Sequence, residues 1–161
     1  MRMNLTMKGL LDDLGSKPPP SLPAELSAVT NEGFVIQGAC SFLRVLCEHR
    51  GNAIPSMFPD ETGYECFINN IHIDAHSNEP LPLAMVFADE VGKAWVSSGS
   101  RNSLRVIVSC NDTGCVVRCH VVRPQQSWHD ENLEAYKHDA VWVNDYSPDI
   151  IALEGETEGD R

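Results

Sequence analysis

Three potential metal ligands recur at every second residue in the segment Tyr64–His76, which reads YECFINNIHIDAH. If this segment is a strand, His72, Asp74 and His76 project from one face, because side chains two residues apart point to the same side. The opposite face then carries Phe67, Ile71, Ile73 and Ala75. Imidazole and carboxylate groups bind divalent transition metals. The pattern predicts an amphipathic strand and raises the hypothesis of a metal-dependent enzyme with a metal-bound water as nucleophile.

The spacing of these ligands argues against a single shared ion. Each two-residue step along a strand covers about 6.5–7 Å, whereas zinc ligands converge to about 2.0–2.2 Å from the ion. His72 and His76 can meet only if the chain bends after Asp74, where Ser77 and Asn78 begin a loop. We therefore favour a solvated polar strand face, with no cofactor, and keep a divalent transition metal as the alternative.

Acidic and aromatic side chains are mixed near the C-terminus. Residues 123–161 carry three basic and ten acidic side chains, which is most of the net charge of −11. Aromatic anchors among acids are typical of an interface for a basic protein. The candidate partner-binding residues are Trp128, Asp130, Glu131, Glu134, Tyr136 and Trp142. The alternative is a surface loop whose acids cap a short helix beginning near Ser127.

Composition also excludes some partners. No stretch has the cluster of basic residues that phosphate neutralisation requires, which argues against nucleic acid and anionic membranes. No apolar run approaches the roughly 20 residues of a membrane span, and the N-terminus lacks the continuous apolar region of a signal peptide. We expect a cytoplasmic protein whose six cysteines are reduced by default.

The clearest local pattern is a hairpin over residues 104–121, with turn residues NDTG between two apolar runs. If Cys110 pairs with Cys115, the remaining partners on that face are all apolar, and the opposite face is mostly polar. This register brings Cys110 and Cys115 close enough for a disulfide if the protein is oxidised. It predicts the pairs Val108–Val117, Val106–Cys119, Leu104–Val121, Arg105–His120 and Ile107–Arg118.

Two apolar stripes predict helices. The first runs through Ala39, Phe42, Leu43, Leu46 and Cys47. The second, over residues 81–98, contains Ala84, Phe87, Ala88, Val91 and Trp95. Gly92 in this helix permits close packing, and residues 140–144 (AVWVN) are typical of a last strand. We predict a single α+β domain, with an antiparallel or mixed sheet of about four strands and two main helices packed on one face.

Prolines at positions 18, 19, 20 and 23 suggest an organisation in three parts. Residues 1–23 form an N-terminal arm and a semi-rigid spacer, residues 24–153 form the domain, and residues 154–161 form an acidic mobile tail. The arm carries a helical set of leucines, Leu5, Leu10, Leu11 and Leu14.

Together these features favour a small acidic protein-binding module over an enzyme. An inhibitor or immunity-type protein that occludes a basic partner fits best. The alternatives are the metal-dependent enzyme at His72, Asp74 and His76, and a structural subunit, such as part of a homo-oligomer, that docks through its N-terminal arm.

Overall fold

The computed structural model describes residues 1–148, so the predicted tail at 154–161 lies outside the described residues. The helices and strands of the described part are, in chain order, β1 (Arg2–Met3), α1 (Leu5–Leu14), α2 (Ala24–Glu32), β2 (Phe34–Gln37), β3 (Cys40–Leu43), α3 (Arg44–Glu48), α4 (Glu61–Ile68), β4 (Asn70–His72), α5 (Pro80–Ser97), β5 (Leu104–Asn111), β6 (Gly114–Val121) and β7 (Ala140–Tyr146). Short 3-10 turns lie at Pro55–Met57, Ile73–Ala75 and Leu133–Ala135.

Within residues 1–148, five strands form the central sheet in the order β1-β7-β5-β6-β4, and β2 pairs with β3 in a separate hairpin. Every pair in both sheets is antiparallel. The predicted α+β single domain is therefore confirmed. The number of elements is larger than predicted, because two-residue and three-residue strands such as β1 and β4 are too short to show a periodic pattern.

The predicted hairpin of β5 and β6 is confirmed with its register. Val108 lies opposite Val117, Cys110 opposite Cys115, and Arg105 opposite His120. Cys110 and Cys115 form a disulfide, with their Cα atoms 4.1 Å apart, whereas reduced thiols were the default expectation. Gly114 closes the turn with a φ of 142°, a backbone angle that residues other than glycine rarely adopt.

The long helix predicted over residues 81–98 is confirmed as α5. The predicted stripe from Ala84 to Trp95 is buried and packs on the sheet. Gly92 lies against Tyr146 of β7 so closely that a Cβ would overlap the tyrosine ring. This glycine therefore allows the helix to approach the sheet.

One face of the sheet holds the main core. α5 supplies most of its helical side chains, and α1 and α2 add Met7, Leu26 and Val29. The sheet contributes Leu104, Val106, Val108, Val117, Cys119 and Trp142. Three helices therefore pack on this face through apolar side chains.

The strand predicted over Tyr64–His76 is wrong in its first half. Asp60 caps a helix there by accepting a hydrogen bond from Gly63 N at 2.7 Å, and α4 continues to Ile68. Buried and exposed side chains alternate as predicted only from Ile71 to Ile73. Phe67 was expected on the dry face but is 55% exposed, because it lies on the outer side of a helix.

The helix predicted from Ala39 to Cys47 is also wrong in its first half. Gly38, with a φ of 60°, turns β2 back onto β3, and α3 begins only at Arg44. Side chains of α4 and its C-terminal cap hold this strand: Ser41 N donates to Glu65 Oε2 and Leu43 N donates to Asn69 Oδ1. These long-range bonds override the helical spacing of the apolar residues.

The N-terminal residues belong to the sheet and the core, whereas the sequence had suggested an arm outside them. β1 pairs with β7 at the sheet edge, and Met7 is fully buried. Within residues 1–148, none of the helices has the length and apolar character needed to cross a membrane.

Candidate functional site

The structure places the three predicted metal ligands in different surroundings. His72 is 66% exposed, and its Nδ1 atom lies 3.9 Å from Asp74 Oδ1. His76 Nδ1 instead lies 3.3 Å from Glu25 Oε2 on α2. The cause is the 3-10 turn at Ile73–Ala75, which ends the two-residue repeat. Among residues 1–148, no group of three His, Cys, Asp or Glu side chains is placed to hold a metal ion.

Five of the six candidate partner-binding residues lie in one segment, residues 127–139, which we call the acidic loop. Trp128 is 45% exposed, Tyr136 is half-buried, and Asp130, Glu131 and Glu134 are exposed. The sixth candidate, Trp142, is only 5% exposed.

Trp142 therefore cannot serve as a surface anchor. It lies on β7 and points into the core beneath α5. Its neighbours Val141 and Val143 point to the other face of the sheet. Strand alternation decides the direction of each side chain, and the sequence alone did not show which face of β7 was covered by the helix.

The acidic loop covers the face of the sheet opposite α5, which we call the second face. The hairpin pattern had suggested that this face was mostly polar. Leu133 packs there against Ile107, Val141 and Val143, and His120 is fully buried. Arg105 on this face makes a two-bond ion pair with Asp145, at 2.7 and 2.9 Å. This face is therefore a second small core with charged groups around it.

Hydrogen bonds within the acidic loop fix its shape. Ser127 Oγ donates to the backbone oxygen of His129 at 2.8 Å, and Asp130 N donates to Tyr136 Oη at 2.7 Å. The 3-10 turn at Leu133–Ala135 is capped by Asn132, whose Oδ1 accepts from Glu134 N. The short helix considered near Ser127 is not formed there: Ser127 binds within the loop, and the 3-10 turn begins at Leu133.

The N-terminus holds the acidic loop in place. Asn4 Nδ2 donates to the backbone oxygen of Asp139 at 2.8 Å, and Asn4 Oδ1 accepts from Val141 N at 3.0 Å. Arg2 Nη1 donates to the backbone oxygen of Glu131, and Leu5 N donates to Glu134 Oε1. Nothing in the sequence indicated these contacts, because the partners are far apart along the chain.

His129 lies beneath the contact between the N-terminus and the acidic loop, with its Nε2 atom 3.1 Å from Arg2 Nη2. Burial, together with the positive charges of Arg105 and Arg2, lowers the pKa of His129 to about 4. The imidazole is therefore neutral at pH 7, and its Nε2 accepts the hydrogen bond from the Arg2 guanidinium.

A buried ion pair holds the chain that leads into the acidic loop. Arg123 Nη1 and Nη2 donate to Glu65 Oε1 and Oε2 at 2.6 and 2.9 Å, and Glu65 is fully buried. Glu65 also accepts from Ser41 N and Val121 N. All these bonds satisfy the buried carboxylate, so its role is structural. The only sequence signal is a single acid in the apolar run YECFI.

A small pocket of about 90 Å³ opens beside Trp128. Its lining residues are Ile107, Ser109, Trp128, His129, Tyr136, Asp139 and Val141. The Arg118 guanidinium stacks over the Trp128 ring, 5.6 Å from its centre. Trp128 is thus an exposed aromatic side chain supported from one face, next to a concave surface.

The acidic loop that forms part of this pocket carries mainly negative charge, and Asp139 is the acid that lines the pocket itself. The acidic loop carries Asp130, Glu131, Glu134 and Asp139, against one lysine, Lys137. In the part of the chain that the structure describes, none of these four carboxylates forms an ion pair. Carboxylates in the same loop as an exposed tryptophan can attract and hold a cationic group.

A larger groove of about 1010 Å³ lies between α1, the prolines at positions 18–20 and α5. Its apolar lining includes Leu10, Leu11 and Leu14 of α1, and Met85 and Val86 of α5. The leucines that the sequence assigned to a docking arm therefore line this groove, except Leu5, which is 73% exposed.

The fold and these surfaces define a small α+β protein with an acidic, tryptophan-bearing surface loop. The chain belongs to the Uncharacterized protein PM0498 family, whose model matches residues 2–153. No curated protein and no solved structure matches it.

Proposed function

We propose that this protein is a binding module for a basic protein, which it contacts through the acidic loop. The observation that carries the proposal is the exposed Trp128, which is supported by Arg118 and lies beside a pocket. Its loop also carries four carboxylates that form no ion pair within residues 1–148. Binding energy at protein interfaces concentrates in a few aromatic anchors. Surrounding charges mainly raise the association rate and select the partner.

The loop is suited to this role because it is held before any partner arrives. Asn4, Arg2 and Leu5 bind it from the N-terminus, and Leu133 packs it onto the sheet. A preorganised surface loses less conformational entropy on binding. An inhibitor or immunity-type role follows if the loop covers a basic functional groove of the partner.

The test begins with capture from the native host by the immobilised protein, read by mass spectrometry. We expect a basic protein that is released as salt is raised, because exposed charges are screened. The captured protein is then purified and its association rate is measured with the variants. Capture that is unaffected by salt, with an unchanged association rate for D130N/E131Q, would contradict electrostatic recognition.

Matched control variants separate the loop from the rest of the surface. Trp128→Ala is compared with Phe67→Ala, because Phe67 is an exposed aromatic side chain on α4. D130N/E131Q is compared with D12N/D13N on α1, which removes the same charge elsewhere. We expect only the loop variants to weaken binding, by at least tenfold for Trp128→Ala.

A second candidate function is self-association through the groove between α1 and α5, which its apolar lining favours. The occupant would be a second copy of the chain, presenting the exposed Leu5. Sedimentation velocity of the full chain tests this: Leu10→Asp should shift a dimer to a monomer. Truncation of the N-terminus is unsuitable, because it also removes β1 and the buried Asn4 and Met7.

A further inference from the structure

The small pocket beside Trp128 has the size of one side chain. Its volume of about 90 Å³ exceeds the roughly 30 Å³ share of a liquid water molecule. It is far below the roughly 300–1,000 Å³ typical of small-molecule and cofactor sites. A single protruding side chain of a protein partner is therefore the guest that fits.

The lining combines an apolar wall with one carboxylate. Trp128 and Tyr136 contribute aromatic rings, and Ile107 and Val141 contribute aliphatic side chains. Among the lining residues, Asp139 is the acidic one. Apolar walls suit a methylene chain, and a carboxylate suits a positive charge at its end. An aromatic ring stabilises the same charge through its π face.

Hydrogen bonding leaves one oxygen of this carboxylate available. Asp139 Oδ1 accepts from Asn111 Nδ2 at 3.1 Å. Within residues 1–148, Oδ2 accepts no hydrogen bond, so it is the atom left for a guest. A guanidinium group prefers two parallel bonds to both carboxylate oxygens, whereas an ammonium group binds as a point charge. The arrangement therefore favours lysine over arginine.

We propose that this pocket receives one lysine side chain of the basic partner, with the ammonium group at Asp139 and the methylene chain between Trp128 and Tyr136. The inference rests on the proposed function, since the acidic loop must be the contact surface. His129, which also lines the pocket, is neutral at pH 7 because its pKa is about 4, and so it adds no positive charge. Arg2 beside His129 and Arg118 over Trp128 are cations next to the pocket, so the ammonium group depends on the charge of Asp139. The exposed Asp130, Glu131 and Glu134 attract the same charge.

Nuclear magnetic resonance titration of the full chain tests the pocket without the partner. The probes are the N-acetyl, N-methylamide derivatives of lysine, norleucine and arginine, at millimolar concentrations. Norleucine keeps the apolar stem without the charge. We expect the lysine probe to shift the Trp128 indole N–H signal and the Val141 amide signal, with at least threefold weaker shifts for norleucine and arginine.

Asp139→Asn removes the charge while keeping an oxygen that can accept from Asn111. We expect this variant to lose at least three quarters of the lysine-induced shift, and Asp13→Asn, an exposed acid on α1, to retain it. Equal shifts from norleucine, stronger shifts from arginine, or unchanged shifts in Asp139→Asn would each overturn the lysine assignment. Salt-sensitive binding of a basic protein without any lysine-probe shift would overturn this inference alone and leave the proposed function standing.

Discussion

The two faces of the central sheet are covered by different kinds of structure. α5 covers one face with a regular stripe of apolar side chains from Ala84 to Trp95. The acidic loop and the N-terminus cover the other face through specific hydrogen bonds, a small apolar cluster and charged groups. The first face gains stability from buried apolar area, and the second depends on individual contacts. The candidate binding surface belongs to the second face.

The largest effect in this comparison is expected from the ion pair before the acidic loop. Arg123→Met leaves the Glu65 carboxylate buried without its charged partner, which should lower the free energy of unfolding by about 3–5 kcal/mol. Urea unfolding measures this change. The control is Lys93→Met, because Lys93 and its partner Asp89 are 63% and 53% exposed and exposed pairs of this kind contribute little to stability. Equal losses in the two variants would contradict the buried role of Glu65.

The next largest effect is expected on the face of the sheet that α5 covers. Gly92→Ala adds a methyl group that overlaps the Tyr146 ring, so we expect a loss of about 1–3 kcal/mol from overpacking, despite the better helix propensity of alanine. Gly9→Ala on α1 meets no atom of residues 1–148 within 4 Å and should raise the free energy of unfolding by about 0.5–1 kcal/mol. A stabilising Gly92→Ala would mean that α5 does not need close contact with β7.

A smaller change in the free energy of unfolding is expected when pH is lowered, because His129 on the second face is buried in its neutral form. The pKa of His129 is lowered from 6.5 to about 4, chiefly by burial, so the unfolded chain binds a proton there before the folded chain does. The free energy of unfolding should therefore fall as pH is lowered from about 6.5 to about 4. The pKa of His120 is also lowered by burial, which acts in the same direction.

Thermal melts between pH 7 and pH 4 measure this dependence. His129→Gln should have a shallower decline of melting temperature than the natural chain, because one group that resists protonation is removed. Parallel declines would show that His129 is not responsible for the pH dependence.

The smallest effect on stability is expected for Trp128→Ala. The side chain is 45% exposed, and the variant loses both its stacking with Arg118 and its remaining buried apolar area, so we expect a loss of about 1–2 kcal/mol in urea unfolding. The same variant should lose partner capture. A loss above about 3 kcal/mol would instead make Trp128 a core residue of the second face.

Sequence patterns predicted the elements whose periodicity is local and long enough to read. The hairpin register followed from alternating apolar residues on β5 and β6, α5 followed from its stripe, and β7 followed from the run AVWVN. Trp128 and the acids of the loop were also selected from sequence, because aromatic residues mixed with acids are typical of an interface for a basic protein.

The errors have a common physical cause. Residues 64–68 were interpreted as the start of a strand, but the local Asp60 cap and the buried Glu65, which binds the distant Arg123, commit them to a helix. Residues 40–43 have helical spacing, but Glu65 and Asn69 hold them as a strand. Trp142 has the residue type of an anchor, but its place in the register turns it into the core. In each case a partner distant in sequence outweighs a weak local preference.

The sequence by itself determined that this chain forms an α+β domain, with one hairpin in a fixed register, one long apolar helix and a net acidic C-terminal third. Tertiary structure alone decided that the N-terminus joins the sheet edge and that the acidic loop is held over the second face. Asn4 illustrates the reason: it binds Val141, which is 137 residues away, and only the folded chain brings the two residues together.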